Sequence, residues 1–148
     1  MLLARNPLFE IDDRFAGLIF LALDHAIDSI KEGGPLVPFL FHEGPAGERN
    51  RALARYDASF YEESVLRARF AAAALPNSVE TCVLAFDGFI TVEGIKSDAI
   101  LVEASQRGRP KGLVFAQRYQ PAHGPEVLRK IGNAAFLGEC ESLFNLPS

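Results

Sequence analysis

Asp87, Glu103 and Arg118 are the side chains of this sequence best suited to joint chemistry. They fall in three successive stretches that read as strands, and short turns between them would pair Asp87 with Glu103 and Leu101 with Ala116. Two carboxylates held side by side do not both ionise easily, so one pKa rises and the pair can serve as general acid and base. Arg118 on the same face would complete a small-molecule pocket with two carboxylates and an arginine. A simpler reading competes and is the one the spacing favours. Asp87-Gly88 is common bulge chemistry, and a bulge would turn Asp87 to solvent.

The remaining reactive residue types form no constellation. His25, His42 and His123 stand at no metal-ligand spacing, HExxH is absent, and each reads as an edge or surface histidine. Cys82 and Cys140 make no CxxC and read as buried thiols, which excludes a structural zinc site of the usual pattern. Cys140 lies between Glu139 and Glu141, neighbours that oppose a thiolate. Ser59 is explained as a helix cap, and no GxSxG, GxGxxG or P-loop pattern occurs. No cofactor or metal is expected, and no catalytic residue is assigned. The turn Arg107-Gly108-Arg109-Pro110-Lys111 and the looser set Arg49, Arg51 and Arg55 read as solvated charge, suited at most to an acidic partner or a phosphorylated ligand.

The elements that must position these residues follow from periodicity. Phe15, Leu18, Ile19, Ala22, Leu23, Ala26, Ile27 and Ile30 recur at helical spacing behind Asp12, which predicts a helix over Asp12–Glu32 closed by Gly33-Gly34-Pro35. Leu36–His42 reads as a strand whose pairing starts after Pro38 if the strand is not at an edge, and Leu53–Tyr56 as its return. Ser59 and Glu62 match a capping box for a second helix, with Tyr61, Val65, Ala68, Ala72 and Leu75 as its inner stripe, widened by Leu66, Phe70 and Ala73. Strands are expected at Val79–Val92, Asp98–Gln106 and Lys111–Tyr119, joined by the turns Glu93–Lys96 and Arg107–Pro110 into an antiparallel meander. The tail from Pro121 reads as irregular, because Gly132 and Gly138 break any longer helix.

The expected class is therefore one α+β domain over residues 1–148, an antiparallel sheet of about five strands with two main helices, in the order α-β-β-α-β-β-β plus a tail. That order is similar to the roadblock and profilin-like families, a resemblance of topology alone that implies no activity. Phe86–Phe89, Ser97–Ala104 and Gly112–Tyr119 also resemble a family of small uncharacterised bacterial proteins, from which no functional residue carries over.

Composition bounds the function. Hydrophobic residues make up 49% of the 148, with 12 phenylalanines, enough to build a core and unusually aromatic for a small chain. The formal charge of −4 gives no support to nucleic acid or an anionic membrane as partner. Phe15–Leu23 is too short to span a bilayer and follows acidic residues, so the cytoplasm is the expected location. In the expected register one sheet face is almost wholly apolar and lies under helices. The other carries Phe89, Leu101, Val114 and Ala116 ringed by Asp87, Glu103 and Arg118, too apolar for water. It is covered by the chain itself, by a second copy or protein partner, or it shapes a small-molecule pocket. The leading expectation is a non-enzymatic binding or regulatory module acting as a homodimer or with a protein partner. The alternative is a small-ligand-binding protein or hydrolase-like enzyme using the carboxylates and Arg118.

Overall fold

The computed structural model of the chain describes residues 11–44, 51–58 and 60–145. Helix α1 spans Asp13–Ser29, and the Asp12 carboxylate accepts the Phe15 N–H at 2.7 Å, which satisfies one of the donors a helix start leaves free. Phe15, Leu18, Ile19, Ala22, Leu23 and Ala26 are its buried side, as the periodicity requires. The helix closes before Gly33 and Gly34, both at positive φ. Helix α2 spans Tyr61–Ala73 with Phe60 at its N-cap position and no side-chain cap. Ser59 lies outside the described residues, as does Arg49.

Among the described residues, six strands form one antiparallel sheet in the order β2-β1-β3-β4-β5-β6. They are β1 (Phe39–Glu43), β2 (Arg51–Arg55), β3 (Thr81–Val92), β4 (Ile95–Gln106), β5 (Lys111–Gln120) and β6 (Arg129–Glu141). β1 begins directly after Pro38, whose ring nitrogen has no hydrogen to give a ladder.

Among the described residues the sheet has six strands where about five were expected. The tail is not irregular but carries the long strand β6, and Gly132 and Gly138 sit in it at φ 66° and 147°. They mark two register shifts against β5 rather than the end of an element. The β3–β4 turn is also tighter than expected. Val92 pairs with Ile95, so only Glu93 and Gly94 lie between the strands, at φ 52° and 80°. Positive φ at both central residues is the turn that matches strand twist, and glutamate is an uncommon residue in its first position.

That shorter turn moves the β3–β4 register by an odd number of residues, which turns β3 over relative to β4. Asp87 pairs with Ile100, and Glu103 with Leu84. The expected pairing of Leu101 with Ala116 is present. Val83 and Ala85, not Cys82 and Leu84, therefore join Ile100, Val102 and Phe115 under α1. Cys82 and Leu84 pack instead with Leu40 of β1, with Val65, Ala68 and Ala72 of α2 and with Leu143 of a short 3-10 helix, Leu143–Asn145. The sheet is thus sandwiched, with α1 on one face and α2 plus the 3-10 turn on the other. No described helix is long and apolar enough to cross a membrane.

α2 buries a narrower stripe than its apolar content suggests. Ser64, Val65, Ala68 and Ala72 are buried, whereas Leu66 and Phe70 are exposed on its outer side.

Candidate functional site

The register separates the six residues singled out in the sequence. Asp87 and Phe89 stand on the α1 side of the sheet, opposite Ile100 and Asp98. Leu101, Glu103, Val114 and Arg118 stand on the α2 side. Asp87 and Glu103 do not form a pair, and no bulge occurs at Gly88, through which the β3–β4 ladder runs without a break. Gly88 has a packing role, since Leu101 Cδ1 lies 2.8 Å from where its Cβ would be.

Asp87 is held by a different set of partners. Pairing with β1 stops at Ala85, opposite Phe39, so the edge of β3 is open beyond it. The Tyr61 hydroxyl, from the first turn of α2, accepts the Asp87 N–H there in place of a strand. The Asp87 carboxylate reaches across β4 to β5, where the Tyr119 hydroxyl donates to it at 2.7 Å. Burial raises the Asp87 pKa above the usual carboxylate range. The Tyr119 and Gly88 hydrogen bonds oppose that rise, and the charge of Asp98 adds to it. Burial pushes Tyr61 up to about 12, and burial together with the Asp87 carboxylate raises Tyr119. Both phenols therefore stay protonated at neutral pH. Pro35, Tyr61, Asp87, Gly88, Phe89 and Asp98 line an open cleft of about 310 Å³ over this network. Neither aspartate has an ion-pair partner among the described residues, and Lys96 lies 4.2 Å over the exposed ring of Phe89. Two carboxylates beside aromatic walls suit a cationic group rather than an anion.

On the other face Glu103 is occupied. Arg69 of α2 donates to both of its oxygens, Nε to Oε1 at 3.0 Å and Nη2 to Oε2 at 2.8 Å, and lies over the Phe86 ring at 5.6 Å. Glu103 is thus a packing anchor for α2 and not a free acid. Arg107 is likewise structural rather than a solvated turn residue. Its guanidinium donates to the carbonyls of Val79, Leu75 and Pro76 and stacks 4.0 Å over Phe144, tying the end of α2 to the 3-10 turn. Cys82 is buried and its thiol is pushed up to about 12; burial and nearby glutamates push Cys140 up to about 11. Neither is a nucleophile at neutral pH. No group of acidic, histidine or cysteine residues suited to a metal occurs among the described residues.

Sequence reasoning missed Tyr61, Tyr119, Asp98 and Arg69. Tyr61 reads as part of the inner stripe of the second helix and Tyr119 as the end of a strand, and their hydroxyls acquire partners only once α2, β3 and β5 are in place. The one available signal was parity, because Tyr119 and Asp87 share a face once the turn is two residues long.

The third feature is the outer edge of the sheet. β6 has β5 on one side and no described strand on the other. Leu137 is 47% exposed, in the register shift between Phe136 and Gly138. Beside it on the α2 side, Leu101, Val114 and Ile131 are only half-buried, since α2 and the 3-10 turn cover the other end of that face. No protein-family model, curated protein or solved structure matches the chain.

Proposed function

We propose that this chain is a non-enzymatic binding or regulatory module that acts as a homodimer or with a protein partner, and that it binds through strand β6. The observation that carries this is the 13-residue edge strand itself, Arg129–Glu141, with its outer side unpaired among the described residues. Backbone donors and acceptors along such an edge can recruit another strand, and the register shifts at Gly132 and Gly138 and the charges at its two ends restrict which strand fits. The exposed Leu66 and Phe70 on α2 and the half-buried Leu101 and Val114 add apolar surface on the same side of the sheet.

Amide hydrogen exchange along β6 tests this, recorded on the chain alone and with extended strand peptides added. Protection of the outer-edge amides in either condition supports a docking edge. Outer-edge amides that exchange freely in both conditions count against it.

A second reading, a small-ligand protein, is favoured by the cleft over Asp87, Tyr61 and Phe89. It uses Asp87 with Asp98 and the two tyrosines, not Glu103 and Arg118. An arylalkyl ammonium ion is the probe, with chemical-shift changes at Phe89 and Tyr61 expected in the wild type and lost in Asp87→Asn. Identical shifts in both proteins would dismiss the site.

A further inference from the structure

We infer that β6 pairs antiparallel with β6 of a second copy of this chain, about a two-fold axis near Ala135. This rests on the docking-edge reading above and names its partner. The charges of the strand are segregated, with Arg129 and Lys130 at its start and Glu139 and Glu141 at its end. All four are exposed. Arg129, Lys130 and Glu139 have no ion-pair partner among the described residues, and Glu141 only approaches Lys111, at 3.9 Å.

Antiparallel self-pairing places the basic start of one strand against the acidic end of the other, and the two-fold repeats the match. The faces agree as well. Lys130 lies opposite Tyr119 of β5, and Glu139 and Glu141 lie opposite Leu113 and Lys111, which puts all three on the α1 side. A two-fold perpendicular to the sheet keeps that side common to both copies, so Lys130 of one meets Glu139 and Glu141 of the other. A parallel arrangement would stack like charges. The two positive-φ glycines, Gly132 and Gly138, stand three residues either side of Ala135, so the irregular parts of the strand also meet each other across the axis. The centre between them is Asn133, Ala134, Ala135, Phe136 and Leu137, without charge. The result is one continuous sheet through both protomers.

Absolute mass in solution, with charge-swapped variants, tests this. The R129E/K130E variant makes β6 uniformly acidic, and the E139K/E141K variant makes it uniformly basic. Because these side chains are exposed, both variants should keep the circular dichroism of the wild type, and that is checked first. The wild type is expected to run as a dimer that weakens with added salt. Each variant alone should lose dimer affinity by about tenfold or more, and an equimolar mixture of the two should recover the dimer mass. A monomeric wild type across the micromolar range overturns the inference, as do variants that dimerise as well as the wild type. If the wild type is monomeric yet its β6 amides are protected by an added strand peptide, only self-pairing falls. If they are not protected, the docking edge falls with it.

Discussion

The hydroxyl of Tyr119 donates to the carboxylate of Asp87 at 2.7 Å, spanning β4 to join β3 and β5 on the α1 side of the sheet. The bond holds a half-buried acid whose pKa lies above its ordinary value of 3.8. The folded chain therefore takes up the Asp87 proton more readily than the unfolded chain does. Stability from this group is fully present below the unfolded pKa and is lost as pH rises through the folded one. Asp87→Asn keeps an acceptor for Tyr119 and removes the charge. Its urea midpoint should exceed that of the wild type at neutral pH, and the gap should close in acid. A gap of the same size at both pH values would contradict the raised pKa.

Tyr119→Phe removes the donor. The loss should cost about 1.5–3 kcal/mol in denaturant unfolding, the range for a hydrogen bond to a charged group. Since that bond holds the Asp87 pKa down, the variant should raise it further. Carbon-detected titration of the Asp87 carboxyl reads this directly, and an unchanged midpoint would show the bond to be absent in solution.

Arg69–Glu103 and Arg67–Glu63 are both ion pairs involving α2, but they should differ in weight. The first is bidentate, with the Glu103 side chain only 14% exposed, and it links the helix to β4. The second is a single exposed contact within the helix. A double-mutant cycle on Arg69→Met and Glu103→Gln should return a coupling of about 1–2 kcal/mol, whereas one on Arg67 and Glu63 should return about 0.3–0.5 kcal/mol. Equal couplings would mean that Glu103 is solvated in solution.

Gly88→Ala places a methyl 2.8 Å from Leu101 Cδ1. Overpacking of this kind should cost about 1–3 kcal/mol. The double variant with Leu101→Val should recover part of that loss, because the shorter side chain vacates the contact. A neutral Gly88→Ala would show that Leu101 turns aside freely.

Arg107→Lys keeps the charge but cannot reproduce the fork that reaches the Leu75, Pro76 and Val79 carbonyls while stacking on Phe144. A loss of about 1–2 kcal/mol is expected, with faster amide exchange confined to the end of α2 and residues 143–145. Uniform acceleration over the whole chain would argue against a local clamp.

Local pattern alone determined the two helices and the pairing of Leu101 with Ala116, and it narrowed β1 to an edge strand or to pairing after Pro38, the second of which holds. Each depends on neighbours a few residues apart, through helical periodicity, a carboxylate cap, or a turn whose length is marked by Gly108 and Pro110. The apolar face of β4 and β5 was legible for the same reason, whereas its covering by α1, with α2 on the opposite face, was not.

The tertiary structure decided what local pattern left open. Whether β3 turns Asp87 or Phe86 toward α1 depends on the length of the turn, here Glu93 and Gly94 both at positive φ, and strand alternation converts an odd change in register into an inversion of the whole strand. Glycine in β6 reads as a breaker until β5 is there to pair with, since a bulge exists only relative to a partner strand. The hydroxyls of Tyr61 and Tyr119 and the fork of Arg69 likewise found their partners through contacts between residues 26 to 34 positions apart. No periodicity reports separations of that length, because they are set by packing between layers and not by the repeat of any one element.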